Sequence, residues 1–226
     1  MMGRTSAAAL IALAGIGCAA TDTPVARQRP GSVHLVRAMG GFYSAGLDGL
    51  AADLRRDGYD ARVYGFGGSV HEIAEAAAAA GPPIVLGGHS IGARDAADAA
   101  RILGSRGLAV DVLVLIDEYN ASPIPGNVRH LLQIHGRGDG AGIRTGPDTT
   151  VERIRVGPGG LWGHVVGHFT ICADRRVWSA VRRAAADAGG SPRAAFTRSS
   201  SRPYVPRQQD SPFPERTDDS PTATLP

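Results

Sequence analysis

The segment AVDVLVLID, residues 109–117, constrains the fold of this chain more than any other. A strand with one wet face alternates apolar and polar side chains, whereas a strand covered on both faces does not. Here valine, leucine and isoleucine run almost without interruption, so this strand needs an apolar layer above it and another below. The rest of the chain says what those layers are. Strand-like runs fall at 32–37, 60–66, 82–88, 128–136 and 151–156. Between and after them come amphipathic or alanine-rich stretches at 47–58, 69–81, 90–107 and 174–189, which read as helices. Strands alternating with helices imply crossover connections and a parallel sheet. The expected class is α/β: a three-layer sandwich with a mostly parallel sheet of about six strands.

Composition narrows the function. A chain of 226 residues, 43% hydrophobic and 20% charged, suits one soluble domain with a substantial core. All 24 basic residues are arginine. Without lysine there is no P-loop lysine, no Schiff-base lysine and no Ser-Lys dyad. The formal charge of +3 is thinly spread, with no basic run interleaved with aromatics, so nucleic-acid partners are not expected.

Gly88-His89-Ser90-Ile91-Gly92 fits the pattern G-x-S-x-G, which on its own is weak. Its setting strengthens it. The strand-like PPIVLGG precedes the serine and the helical SIGARDAADAA begins at it, the strand–turn–helix context of a nucleophile elbow. Such a turn forces Ser90 into strained backbone angles and leaves no room for a Cβ two residues to either side. The helix N-terminus then favours negative charge developing beside the hydroxyl. The plainer alternative is Ser90 as a helix N-cap.

Taken together, residues 32–190 resemble a small bacterial α/β-hydrolase, the superfamily of esterases, lipases and thioesterases. VHLVRAMGGFYSAGLDGLAADLRRDGYDARVYGF looks like its first strand, oxyanion loop and following helix. GGHSIGA looks like its elbow, and GHFTI like its terminal histidine segment. The resemblance implies an α/β-hydrolase-like sandwich and the chain order serine, acid, histidine. Of the seven histidines, His34 and His71 precede Ser90, His89 sits inside the elbow, and His130 and His135 fall in a strand-like run. That leaves His168, which abuts the final helix as the superfamily's base does, and His164 as its rival. For the acid, Asp117 ends a well-defined strand, and Asp139, in HGRGDG, follows the next one. Asp117 is preferred because a strand terminus anchors it, and Asp148 stands a distant third. Oxyanion donors are expected from the N–H groups of Ile91 and Met39, although Arg37-Ala38 replaces the superfamily's usual His-Gly.

The function these residues imply is hydrolysis of a carboxylic ester or thioester through an acyl-enzyme on Ser90, with no cofactor or metal. The alternatives are a catalytically inactive, exported binding protein of the same fold, and an acyltransferase. ASPIPGN, after DEYN, is too short for a cap, so an open, shallow cleft for a small acyl substrate is expected.

The two ends read differently from the middle. Residues 1–20 look like an export signal: Arg4 precedes the apolar AAALIALAGIG, which falls short of the ~20 residues of a spanning helix. Cleavage after Ala20 is one expectation. LAGIGC resembles a lipobox, and a lipid anchor at Cys18 is the other. The protein is expected to be periplasmic, secreted or lipid-anchored, touching membrane only through that anchor. Residues 191–226, rich in proline, serine and arginine, offer little to bury and are expected to be a disordered tail.

Overall fold

A computed structural model describes residues 30–118, 123–136, 142–157 and 167–190. The segment expected to be an export signal, with Cys18, the expected tail from residue 191, Asp139 and His164 lie outside the described residues. The strands are Ser32–Val36 (β1), Asp60–Tyr64 (β2), Ile84–His89 (β3), Val110–Ile116 (β4), Val128–His135 (β5) and Thr150–Arg155 (β6). They form one sheet in the order β2-β1-β3-β4-β5-β6, every neighbouring pair parallel. The longer helices are Gly46–Arg56 (α1), Val70–Ala80 (α2), Ile91–Ser105 (α3) and Arg175–Gly190 (α4).

The near-continuous apolar run has the cause inferred for it. Val112, Val114 and Ile116 of β4 join Leu47, Leu50 and Leu54 of α1 and Val177, Val181 and Ala184 of α4 in one core. Leu113 and Leu115 face the other way, onto Ile73 of α2 and Ala93, Ala96 and Ala100 of α3. All seven residues of β4 are buried, as expected of a strand between two helical layers. Each fully buried leucine contributes about 1.5–3 kcal/mol relative to exposure. The edge strand β6 is mostly half-exposed, and its sequence TVERIR alternates accordingly.

Two local devices set element ends. Ser69 caps α2 by accepting the Glu72 N–H through its hydroxyl. β3 begins two residues later than its sequence suggests, at Ile84, because the proline pair Pro82-Pro83 lacks the N–H groups that a ladder needs. It also runs one residue further, to His89, directly against Ser90.

The strand order places a crevice. The chain moves from β1 outward to β2, then returns to the other side of β1 with β3. The order therefore reverses between β1 and β3, and a crevice opens outside the carboxyl ends of strands at such a switch point. The residues that leave those two strands there are Arg37 to Gly41 and Ser90.

Candidate active site

Ser90 adopts φ 54° and ψ −120°, a left-handed conformation that side chains rarely tolerate. Its N–H donates to the Ile116 carbonyl at 2.8 Å, which fixes the turn against the end of β4. Although Ser90 stands at the N-cap position of α3, its side chain makes no capping hydrogen bond. The flanking glycines explain how the turn closes. A Cβ on Gly88 would lie 2.1 Å from the Gly92 carbonyl oxygen in the first turn of α3. One on Gly92 would lie 2.5 Å from the Arg37 carbonyl oxygen and 2.6 Å from that of Val36. Strand end, helix start and the exit of β1 meet backbone to backbone, so only glycine fits at either position.

Asp117 follows β4 directly and is 2% exposed. It too has a positive φ, 49°, and its N–H donates to the Ile134 carbonyl at 2.7 Å. Its carboxylate is engaged on both oxygens. Oδ1 accepts the Gly136 N–H at 2.9 Å, and Oδ2 lies 2.6 Å from Nδ1 of His168. With a buried carboxylate as acceptor, Nδ1–H of His168 is the donor of this bond.

His168 is held from behind by close packing of its own segment. The 3-10 turn Ile171–Ala173 lies so tightly on the first turn of α1 that a Cβ on Gly46 would sit 2.2 Å from the Cys172 carbonyl oxygen. Trp178 Nε1 donates to that same carbonyl at 2.6 Å, binding the turn to α4. Burial first, and then the charge of Asp117, push the Cys172 thiol upward, which keeps it un-ionised. The ring of His168 packs on that of His89, with centroids 4.7 Å apart, and so stands beside the residue preceding Ser90.

The chain after β1 supplies the opposite wall. Met39 lies in the turn beyond β1, and its backbone N–H meets no acceptor among the described residues. The same is true of Ile91, whose N–H at the start of α3 has no partner within the helix. Of the remaining sequence candidates, Asp148 sits in the turn before β6, at the opposite edge of the parallel sheet, and is removed from the site. His34 is buried inside β1, 2.9 Å from the Tyr64 hydroxyl, and His130 lies beside Glu152.

Sequence reading missed two features. One is the pairing of buried Ser44 with His89, which lies 45 residues further along the chain. The other is an apolar rim. Among the described residues the exposed large hydrophobic side chains are Met39, Phe42, Tyr43, Phe66 and Phe169. Met39, Phe42 and Tyr43 follow β1 and Phe66 follows β2, while Phe169 lies between β6 and α4. Phe42, Tyr43 and Phe169 stack in series, with centroids 3.8 and 4.1 Å apart, and Phe169 meets the edge of His168 at 5.5 Å. The pair Phe42-Tyr43 between glycines was the available signal.

Fold and site together define a three-layer α/β protein with a strained serine at a sheet edge and a His–Asp pair close by. No protein-family model matches the sequence, and no curated protein matches it. Among solved structures, the chain is similar to the thioesterase domain of NocB from the nocardicin cluster, at 20% identity and a TM-score of 0.45, over 72% of this chain and 95% of that one. It is also similar to RedJ, a thioesterase of the prodiginine pathway in Streptomyces coelicolor, at 17% identity and a TM-score of 0.44, over 74% and 98%. A third is the esterase domain of a Rhodothermus marinus protein, at 15% identity and a TM-score of 0.45, over 75% and 92%. At such distances the chemistry of this chain rests on its own residues.

Proposed function

We propose that the protein is a serine hydrolase acting on carboxylic esters or thioesters of apolar acids. One observation carries this reading: Ser90 is held at φ 54° between β3 and α3, next to a histidine ring that packs on His168 of the His168–Asp117 pair. Backbone strain of this kind costs of order 1–3 kcal/mol and persists where function uses it.

In this reading Ser90 Oγ attacks the acyl carbon while Nε2 of His168 takes its proton. Asp117 Oδ2 holds Nδ1–H and stabilises the imidazolium. The N–H groups of Ile91 and Met39 receive the oxyanion, and each such donor lowers the barrier by about 3 kcal/mol. Collapse expels the alcohol or thiol, which takes the proton from His168. Water, deprotonated by the same nitrogen, then attacks the acyl-serine, releasing the acid and restoring Ser90. The substrate's apolar part lies along Met39, Phe42, Tyr43 and Phe169, a rim that would otherwise expose its hydrocarbon to water without return.

Export is part of the proposal, with cleavage after Ala20 or lipidation at Cys18. N-terminal sequencing and mass analysis of the protein from its host test it. The chemistry is tested by a fluorophosphonate probe and a chain-length series of p-nitrophenyl esters and acyl thioesters on the full-length protein. Wild type is expected to be labelled and to turn over, while Ser90→Ala takes up no probe and loses about 10⁶-fold in kcat. An unlabelled wild type, or a Ser90→Ala variant with full turnover, overturns the reading. His168→Ala against His164→Ala identifies the base, with the larger loss expected at His168.

A further inference from the structure

Ser44 and His89 are each 0% exposed, and neither belongs to the proposed triad. Two polar side chains so buried are costly unless they bond to something. Ser44 Oγ accepts the Ala38 N–H at 2.9 Å and lies 2.9 Å from Nδ1 of His89. The direction of the second bond follows from counting donors. Burial first, and then the charge of His168, hold the His89 imidazole down to about 4, so near neutral pH one ring nitrogen is bare. If Nδ1 donated, the Ser44 hydroxyl hydrogen and a bare Nε2 would both be stranded. If Ser44 donates to Nδ1, Nε2 keeps its hydrogen, in keeping with the hydrogen bond to the His168 backbone that raises the His89 imidazole against its burial. The chain therefore runs from Ala38 N–H to Ser44 O–H to His89 Nδ1.

This chain bears on the residue after Ala38. The Ala38 carbonyl accepts the Gly41 N–H at 3.2 Å, so Ala38 is bonded through both its N–H and its carbonyl. In a planar trans peptide the N–H of Met39 points opposite to the Ala38 carbonyl. Fixing Ala38 at both ends thus fixes where the Met39 N–H is aimed. The far end of the chain rests on His89, the residue before Ser90.

We propose that Ser44 and His89 are positioning residues that set the oxyanion-binding turn. They occupy the Ala38 N–H, leave that of Met39 for the substrate, and couple the turn after β1 to the nucleophile's own strand. The assignment rests on the serine-hydrolase reading. It makes the pair more than packing, because its loss misdirects a donor that acts in the transition state.

The test is steady-state ester hydrolysis by the full-length protein, with thermal denaturation and fluorophosphonate labelling run in parallel. Ser44→Ala is expected to lower kcat by about 10²-fold with KM little changed, the signature of a misplaced oxyanion donor. Ser44→Thr keeps the hydroxyl and is expected to restore most of kcat. If Ser44→Ala does not fold, His89→Asn against His89→Leu carries the same contrast, since only asparagine offers an acceptor near the Nδ1 position. Full kcat in Ser44→Ala or His89→Leu overturns the assignment. So do equal kcat losses in Ser44→Ala and Ser44→Thr, or in His89→Asn and His89→Leu, because the hydroxyl or acceptor then makes no difference. A wild type without label or turnover overturns the hydrolase reading as well, whereas a labelled, active wild type with an indifferent Ser44 overturns the positioning role alone.

Discussion

The strand β4 has a buried aspartate near each end, and the two do different work. Asp111, 8% exposed, accepts the Ile84 N–H through Oδ2 at 2.8 Å and pairs with Arg129 through Oδ1. Its backbone is ordinary, and its partners are a strand start and a guanidinium that is always charged. Asp117 is as buried and also accepts one backbone N–H, and its side-chain partner is the imidazole of His168. That imidazole packs in turn on His89, the residue before Ser90, and φ at Asp117 is 49°. A buried carboxylate that accepts a backbone N–H is therefore common to both, whereas a positive φ and an imidazole partner belong to Asp117 alone of the two. The amino edge of the sheet holds structure together, as when Asn127 Nδ2 donates to the Ala100 and Leu108 carbonyls at 2.9 Å each. The carboxyl edge gathers strained backbone, the His168 imidazole and exposed aromatic surface.

The contrast is sharpest when one aspartate is changed at a time. Asp117→Asn is expected to lower kcat by about 10⁴-fold, because the amide holds His168 in the wrong tautomer. Asp111→Ala should instead leave turnover within about twofold and lower stability by about 1–3 kcal/mol, read by urea denaturation, since it strands the Ile84 N–H. Comparable kcat losses in both variants would break the distinction between the edges.

A smaller effect comes from the buried imidazoles. His34 and His89 are each held to about 4, against 6.5 for a free ring, chiefly by burial. Below pH 6.5 the unfolded chain takes up protons that the folded chain refuses. Stability therefore falls as pH drops from about 6.5 to about 4, by up to ~1.4 kcal/mol per pH unit for each ring, and levels off below that. Replacing His34 with asparagine should make the slope shallower without touching kcat, as urea midpoints across that window would show. An unchanged slope would mean that His34 does not carry its share.

The smallest effect is expected at the rim. Phe42→Ser or Phe169→Ala should lower kcat/KM for long or aromatic acyl substrates by about tenfold, the cost of losing one apolar contact surface, while acetyl substrates are spared. A uniform loss across the series would remove the rim from substrate binding.

Most of the architecture was legible because each element follows from a period. The unbroken apolar run of β4 implied two covering layers, and those layers are α1 with α4 and α2 with α3. Boundaries slipped by a residue or two where proline chemistry decides, as at Pro82-Pro83. Within the site, Ser90, Ile91 and Gly92 are fixed by local spacing, whereas the meeting of Asp117 with His168 joins residues 51 apart. Chain order could nominate such a pair but could not by itself select it over Asp139 and His164. Ser44 was unreadable for a related reason. It reaches His89 across 45 residues, and a serine beside an aromatic pair carries no sign of what it will touch.

The backbone-to-backbone contact of Gly88 and Gly92 separates what can vary here from what cannot. A turn with no side-chain volume to trade gives selection nothing to adjust, so if Ser90 acts as proposed, a change of substrate has to be written in the loops that frame the turn. A library confined to positions 39, 42, 43 and 169 would explore that freedom while leaving the scaffold as it stands.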